Sequence, residues 1–145
     1  MTKPPMYLID TNVISEHRKQ SRANPGVRQF FKQAAKQEAS LFISAITMGE
    51  LRCGVEVVRH RNDQVQAAQL ETWLQTIVHD YANRILDFTL LEAQVWGCLR
   101  VPHQENALDK QIAEIALTCG LVLVTRNISD FANTGVSLLN PFEAT

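Results

Sequence analysis

The sequence predicts a three-layer α/β/α sandwich around a mainly parallel sheet. Three observations predict it. Short apolar runs alternate with stretches of helical periodicity along the whole chain. The run Leu121–Val124 is apolar throughout, as a strand covered on both faces requires. The 145 residues make one domain, 1–145, with no repeat, low-complexity tract or linker to divide them. A chain of this size buries about two-thirds of its unfolded surface and needs neither disulfides nor a metal to fold.

Each element has its own local reason. Met6–Ile9 is apolar and ends at Asp10, which reads as a buried strand. Asn12–Lys19 suits a short helix. Asn24-Pro25 marks the start of the next, with Asn as N-cap and Pro in the first turn. That helix runs to about Gln37, with Phe31 and Ala35 on its apolar face. Leu41–Ser44 is a second strand. Thr47–His60 is helical, since Met48, Leu51, Val55 and Val58 recur at helix spacing. Asp63–Tyr81 is a further helix, with Val65, Ala68, Trp73 and Ile77 for its buried face. Arg84–Leu86 is a short strand. Thr89–Val101 is helical and stops before Pro102. Ala107–Cys119 carries Leu108, Ile112, Ile115 and Ala116, and Gly120 suits its C-terminal cap. Leu121–Val124 and Val136–Leu139 close the sheet. Gly49 and Gly54 lie inside a helix, where glycine costs up to ~1 kcal/mol against alanine, which points to close packing against a helix or a partner.

Fourteen basic residues against fifteen acidic ones give a net charge of −1. That excludes a histone-like binder and a disordered acidic tail. It leaves room for a local positive patch. Six basic residues and no acid fall between His17 and Gln37. Within them Arg28, Lys32 and Lys36 form an i, i+4, i+8 stripe. The stripe reads either as a solvated helix face or as a phosphate track leading towards Asp10. The three cysteines, Cys53, Cys98 and Cys119, form no CxxC or Cys/His pattern. They read as small buried hydrophobes in a reduced, cytoplasmic protein. His17, His60, His79 and His103 have no ligand spacing. Trp73 and Trp96 read as core or interface residues. Met1–Tyr7 lacks the apolar core of a signal peptide, and no apolar run approaches the ~20 residues of a membrane span.

In parallel sheets, ligands sit beyond the carboxyl ends of the strands. Two segments fall there: Asp10-Thr11-Asn12, and Thr125-Arg126-Asn127 with Asp130 shortly after. Four carboxylates therefore stand out: Asp10, Glu50, Asp109 and Asp130. Each has a structural reading. Asp10 caps a helix, Glu50 closes a T-x-x-E capping box with Thr47, Asp109 suits a helix dipole, and Asp130 closes a turn. If the four converge, mutual repulsion raises some of their pKa values, and a hard divalent cation relieves it. Oxygen-only ligands favour Mg²⁺ or Mn²⁺, which can activate water against a phosphodiester.

The motifs carry a family resemblance. They are L-I-D-T-N-V-I-S at Leu8–Ser15, S-x-x-x-x-G-E-L-x-x-G from Ser44 to Gly54, and D-x-x-I-A at Asp109–Ala113. L-V-T-R-N-x-x-D-F follows at Leu123–Phe131, and N-P-F-E at Asn140–Glu143. The ordered set resembles the PIN-domain nucleases, specifically the VapC and FitB-like toxins of toxin–antitoxin pairs, over nearly the whole chain. The resemblance implies a metal-dependent endoribonuclease that leaves a 5′-phosphate and a 3′-hydroxyl. It implies that Asp10 and Asp109 are the principal Mg²⁺ ligands (Mn²⁺ being an alternative), with Glu50 and Asp130 completing the catalytic set. It implies that Thr11, Thr125 and Asn127 support the pocket. It further implies an RNA substrate, a homodimer, silencing by a co-encoded antitoxin, and operator DNA reached only through that antitoxin. Arg126, beside the pocket, is the best single RNA contact, ahead of Arg28, Lys32 and Lys36. The sequence departs from the family pattern after Asp109, where Lys110 replaces a small residue and is expected to face water. Glu114, about 140° around the helix from Asp109, is expected to stay out of the metal site.

Two rival readings stand beside this one. A strand ending in Asp-Thr also resembles receiver domains and haloacid-dehalogenase phosphatases. The phosphatases need a second Asp where this chain has Asn12, and receivers need a lysine where it has Thr125-Arg126-Asn127. The other rival is a non-catalytic co-regulator that binds an antitoxin and operator DNA. The apolar helical faces of residues 47–81 offer a groove for an amphipathic partner segment.

Overall fold

A computed structural model describes residues 3–102 and 105–143, so His103 lies outside the described residues. Five strands form one sheet: β1 (Met6–Ile9), β2 (Ser40–Ser44), β3 (Ile85–Leu86), β4 (Val122–Val124) and β5 (Leu138–Leu139). Among the described residues, six α-helices surround it: α1 (Thr11–His17), α2 (Pro25–Lys36), α3 (Ala45–His60), α4 (Gln64–Asp80), α5 (Leu90–Leu99) and α6 (Ala107–Cys119). Every strand pairing is parallel. The strand order is β3-β2-β1-β4-β5. The chain therefore winds outward from β1 in one direction, then returns to lay β4 on the other side of it. Tyr7 pairs with Leu41 and with Val122.

The layers follow from strand alternation. Leu8 and Leu123 point to one face, where Ile112, Ile115 and Ala116 of α6 and Phe131 cover them. Ile9 and Val124 point to the other, against Val13, Val27, Leu51, Val55, Leu74 and Ile77 of α1–α4. α5 packs on α6 and has no buried residue of its own.

Helix starts are mostly capped as the sequence suggests. Asn24 accepts from the backbone N–H of Gly26 and Val27. Asp63 accepts from Gln66 N. Gly120 takes the left-handed conformation, φ 68°, that ends α6.

Several expectations need correction. Of the expected face of α4, Ile77 is buried and Trp73 packs against the core, beside Ala67, Leu70 and Leu74. Val65 is 72% exposed and Ala68 is exposed. On α2 the buried residues are Gly26, Val27 and Ala34, whereas Ala35 is exposed. Leu108 is also exposed. All three cysteines are free and exposed, since each lies on the outer side of its helix. A β-carbon added at Gly49 or Gly54 meets no described atom within 4 Å, so packing within the chain does not require glycine at either.

Lys110 is buried rather than solvated. It sits on the same inward stretch of α6 as Glu114, which is 0% exposed. The Glu114 carboxyl accepts from Thr118 through one oxygen. Its other oxygen, Oε2, has no hydrogen-bond partner among the described residues. Burial and the neighbouring Glu92 charge raise its pKa, with Thr118 opposing. The sign is fixed by linkage: the folded state holds this proton to higher pH than the unfolded chain, so stability is lost as pH rises from about 4.5 upward. Glu114→Gln keeps the shape and removes the charge. We expect it to raise the Tm at pH 8 and to change it little near pH 4. Thermal melts across that range check this, and an unchanged or lowered Tm at pH 8 contradicts it.

Candidate active site

Strand order reverses at β1 and β4, and the crevice beyond their carboxyl ends is where such sheets bind ligands. Asp10 stands at the end of β1 and is 3% exposed. Its backbone N–H donates to Val124 O at 2.9 Å, which locks the two strand ends together. Its Oδ1 accepts from Thr11 N at 2.8 Å. Its Oδ2 accepts from Thr125 Oγ1 at 2.7 Å and from Asn12 Nδ2 at 3.3 Å. The carboxylate thus caps α1 and is also held from β4.

Glu50 does not close a capping box. Ser44 is the N-cap of α3, accepting from Thr47 N at 3.0 Å. Glu50, one turn into α3, instead accepts from Thr11 Oγ1 at 2.6 Å. The Thr11 hydroxyl has one proton, and Glu50 takes it. The Thr47 hydroxyl, 3.3 Å away, then donates to Thr11, and Ser44 Oγ donates to Thr47 at 3.2 Å. This relay of hydroxyls from β2 to α1 aims the Glu50 carboxylate at the crevice, each bond polarising the next.

Asp109 lies in the first turn of α6, and Asp130 in a single 3-10 turn, Ile128–Phe131, after β4. Burial, with the charges of Asp10, Asp130 and Glu50, pushes the Asp109 carboxyl up to about 6. Burial, then the Asp130 charge, also raises Asp10, against the pull of its hydrogen bonds. Four acids from four elements therefore act on one another across one crevice. Among the described residues, no three acidic, histidine or cysteine side chains are gathered closely enough to hold an ion directly.

Of the supporting residues, Thr11 and Thr125 bond acids directly. Asn127 enters through its backbone N–H, which donates to Thr125 Oγ1 at 3.1 Å. The expectation missed Asn12, Ser44 and Thr47. Asn12 Oδ1 accepts from Arg126 N at 3.0 Å, so this one amide ties α1 to the segment after β4. The D-T-N triplet was its only sequence signal. Arg126 is exposed, with its guanidinium over the Phe142 ring at 4.9 Å.

A PIN-domain family model matches residues 7–136. The chain belongs to the PIN-domain family. It is 32% identical to the plasmid stability protein StbB of Pseudomonas syringae pv. tomato, over 96% of this chain and 100% of that one. It is 32% identical to the toxin FitB of Neisseria gonorrhoeae, over 94% and 99%, and 29% identical to the VapC ribonuclease Y4jK of Sinorhizobium fredii, over 95% and 99%. Among solved structures, FitAcB from Neisseria gonorrhoeae aligns with a TM-score of 0.78 at 30% identity, covering 96% of this chain and 100% of that one. VapBC2 of Rickettsia felis, bound to a DNA fragment from its promoter, aligns at 0.70 with 23% identity, covering 93% and 98%. That last likeness speaks to the fold alone.

In the PIN crevice of this chain, burial and then repulsion at Asp109 make a stability cost with a defined sign. Folded Asp109 binds its proton to about pH 6, against about 4 in the unfolded chain. Metal-free stability therefore falls as pH rises from about 4 to 6. Discounted for partial exposure, the cost is on the order of 1 kcal/mol, or about 2–4 °C in Tm. We expect Asp109→Asn in EDTA to melt higher than wild type at pH 7 and to flatten the slope between pH 4 and 6. Parallel melting curves for the two proteins contradict the convergence.

Proposed function

We propose that this chain is the toxin of a type II toxin–antitoxin pair and acts as a divalent-metal-dependent endoribonuclease through Asp10, Glu50, Asp109 and Asp130. The observation carrying the reading is the hydrogen-bonded junction that fixes Asp10 and Glu50 through Thr11 and Thr125 at the carboxyl ends of the central strands of a PIN-family chain. The donor set suits Mg²⁺, with Mn²⁺ as the alternative, because it is all oxygen and its repulsion needs a cation. Asp10 and Asp109 hold the ion, in part through water, and Glu50 and Asp130 complete the pocket. Such an ion lowers the pKa of water and offsets charge on the phosphate.

The chain's own groups do the positioning. Asp10 cannot turn away, since Thr125, Asn12 and Thr11 N all bond it. Thr11 holds Glu50 in the orientation that accepts a proton from the attacking water. No side-chain nucleophile takes part, and the RNA 2′-hydroxyl is not used. Selection of RNA is then a matter of binding.

Three surfaces support the partners of this reading. A groove of about 170 Å³ leads from Thr11 and Glu50 past Ser15, Arg18, Gly54, Leu70 and Trp73. Its mostly apolar wall and the open space at Gly54 suit an antitoxin segment, through which operator DNA is reached. The uncovered apolar helix α5, with Leu90 75% and Leu91 61% exposed, suits a homodimer contact. No helix among the described residues is long and apolar enough to cross a membrane, which agrees with action on cytoplasmic RNA. Arg28, Lys32 and Lys36 are exposed and lie about 6 Å apart along α2. The start of α2 is tethered to α1 by Glu16, which accepts from Asn24 N at 2.8 Å. The stripe thus begins near the crevice and, with Arg126, suits the RNA backbone.

Purified protein with Mg²⁺ should cut total RNA at discrete sites bearing 5′-phosphates. EDTA or Asp10→Asn should abolish the cuts while the fold persists by circular dichroism. Persistent cutting by folded Asp10→Asn sinks the assignment of the acids. A folded, antitoxin-free, metal-loaded protein that cuts nothing favours the non-catalytic co-regulator. For the track, replacing Arg28, Lys32 and Lys36 by Gln together should lower the slope of log affinity against log salt by about 2, from ~0.7 per phosphate contact. An unchanged slope leaves the stripe as a solvated face.

A further inference from the structure

The N-P-F-E stretch at Asn140–Glu143 has no part in the reaction described so far. Its last three residues form a 3-10 turn, Pro141–Glu143, packed against α2. Asn140 Oδ1 accepts from Phe142 N at 3.0 Å, which sets the turn. Two contacts then tie the turn to Arg126. Asn140 Nδ2 donates to Arg126 O at 3.5 Å. The Arg126 guanidinium lies over the Phe142 ring, 4.9 Å from its centroid. From the other side, Asn12 Oδ1 accepts from Arg126 N at 3.0 Å. An exposed arginine is thus held at its backbone from both sides and at its head.

The kind of partner at the head decides what the arginine can do. A carboxylate would hold the guanidinium and also neutralise it, and a phosphate would have to displace that ion pair. A ring face orients a cation through its quadrupole and brings neither counter-charge nor acceptor oxygen. The charge and the planar N–H fork therefore remain for an anion. Phe142 is itself anchored, since it packs against the core on the α1–α4 side of the sheet. Core packing asks of position 142 only apolar volume, whereas holding a cation asks for a π face.

The position is equally specific. Arg126 follows Thr125, whose hydroxyl holds Asp10. On its other side is Glu16, which tethers the start of α2 through Asn24 N. Lys19 and that N–H hold the Glu16 carboxyl below its usual range, and the Arg126 charge adds to them. Arg126 therefore stands between the acids and the head of the Arg28, Lys32 and Lys36 stripe.

Resting on the nuclease reading, we propose that the Asn140–Phe142 turn is a positioning element of the substrate site. It holds the Arg126 guanidinium for the RNA phosphate that flanks the scissile one on the α2 side. Phe142 and Asn140 touch no RNA and act through Arg126.

Two arms test this. A flanking phosphate is bound alike in the ground state and the transition state, so its loss raises KM and spares kcat. In the first arm, a short RNA with one cut is cleaved in Mg²⁺ by wild type, Arg126→Gln, Phe142→Leu and the double variant. Arg126→Gln should raise KM about tenfold. Phe142→Leu should raise it about threefold, and Phe142→Tyr, which keeps the ring face, should not. In every variant kcat should stay within about twofold of wild type. The double variant decides. With Arg126 gone the ring has nothing to hold, so the double should match Arg126→Gln alone. A KM raised by the product of the two effects, about thirtyfold, makes Phe142 a packing residue and overturns the proposal. An unchanged KM in either single variant overturns it too. Should Phe142→Leu fail to fold by circular dichroism, Asn140→Ala frees the same turn from Arg126 and takes its place in the cycle.

The second arm needs no cleavage. The same proteins bind a fluorescein-labelled single-stranded RNA in EDTA, followed by anisotropy at several salt concentrations. Arg126→Gln should lower the slope of log affinity against log salt by about 0.7. Phe142→Leu should weaken binding only where Arg126 is present. No binding by wild type, or a Phe142→Leu effect that persists without Arg126, overturns the proposal. A wild type that cuts nothing in Mg²⁺ but shows this dependence rejects the nuclease reading and keeps the positioning role. Cutting without the dependence keeps the nuclease reading and rejects the role.

Discussion

Asp10 is a carboxylate at the end of a buried strand, where it has lost almost all of its water. In place of water, three donors around its carboxylate are fixed. Its own N–H holds Val124 O, and Thr11 N, Thr125 Oγ1 and Asn12 Nδ2 meet its oxygens. Those partners come from α1 and from the end of β4. The bonds that solvate Asp10 are therefore the same bonds that join the two halves of the sheet. The reversal of strand order at β1 makes this possible, since it leaves β4 free to lie directly beside it. Without that adjacency Thr125 is not in reach and the carboxylate has no donor from the far side.

The remaining acids depend on this junction at one remove. Thr11, whose backbone caps Asp10, also spends its hydroxyl on Glu50. The relay from Ser44 through Thr47 links the end of β2 to the same point. One threonine thus couples two carboxylates that lie on different helices. Asp109 and Asp130 have no such tether among the described residues, and burial together with the charges of Asp10, Asp130 and Glu50 pushes Asp109 up to about 6. The two tethered acids are oriented by hydrogen bonds, and the other two arrive on the first turns of short-range elements whose backbones place them.

What was legible in the sequence was local. Asn24-Pro25, Asp63 and Gly120 act within a few residues, so their elements begin and end as expected. The all-apolar run before Thr125 reads as a central strand for the same reason. The crevice was legible through a topological rule, the carboxyl ends of parallel strands, applied to Asp10 and Asp130. What was not legible turned on competition between elements. Ser44 and Thr47 are both capping residues three apart, and only the backbone path out of β2 decides that Ser44 caps. That decision frees Glu50 for Thr11, so a one-turn ambiguity separates a structural glutamate from a functional one. On α4, Leu70 and Leu74 win the core over Val65 and Ala68 because α3 lies against that side, which periodicity over one helix does not reveal.

α6 carries the clearest conflict between local rule and global place. Five consecutive residues, Ile112–Ala116, are buried, and two charged side chains, Lys110 and Glu114, go in with them. The sheet, the 3-10 turn and α5 cover the side of the helix that carries both, so charge there is cut off from water. Lys110 lines a cavity that also touches Asp130, and it lies one residue from Asp109. Among the described residues, Glu114 has a single hydroxyl donor and an unpartnered oxygen, and no comparable link to the acids. The physical distinction between them is adjacency to the crevice. Lys110 stands at the edge of the crevice, whereas the Glu114 carboxyl, behind α5, is relieved by taking up a proton. By that argument Glu114 belongs to the stability of the α5–α6 pair.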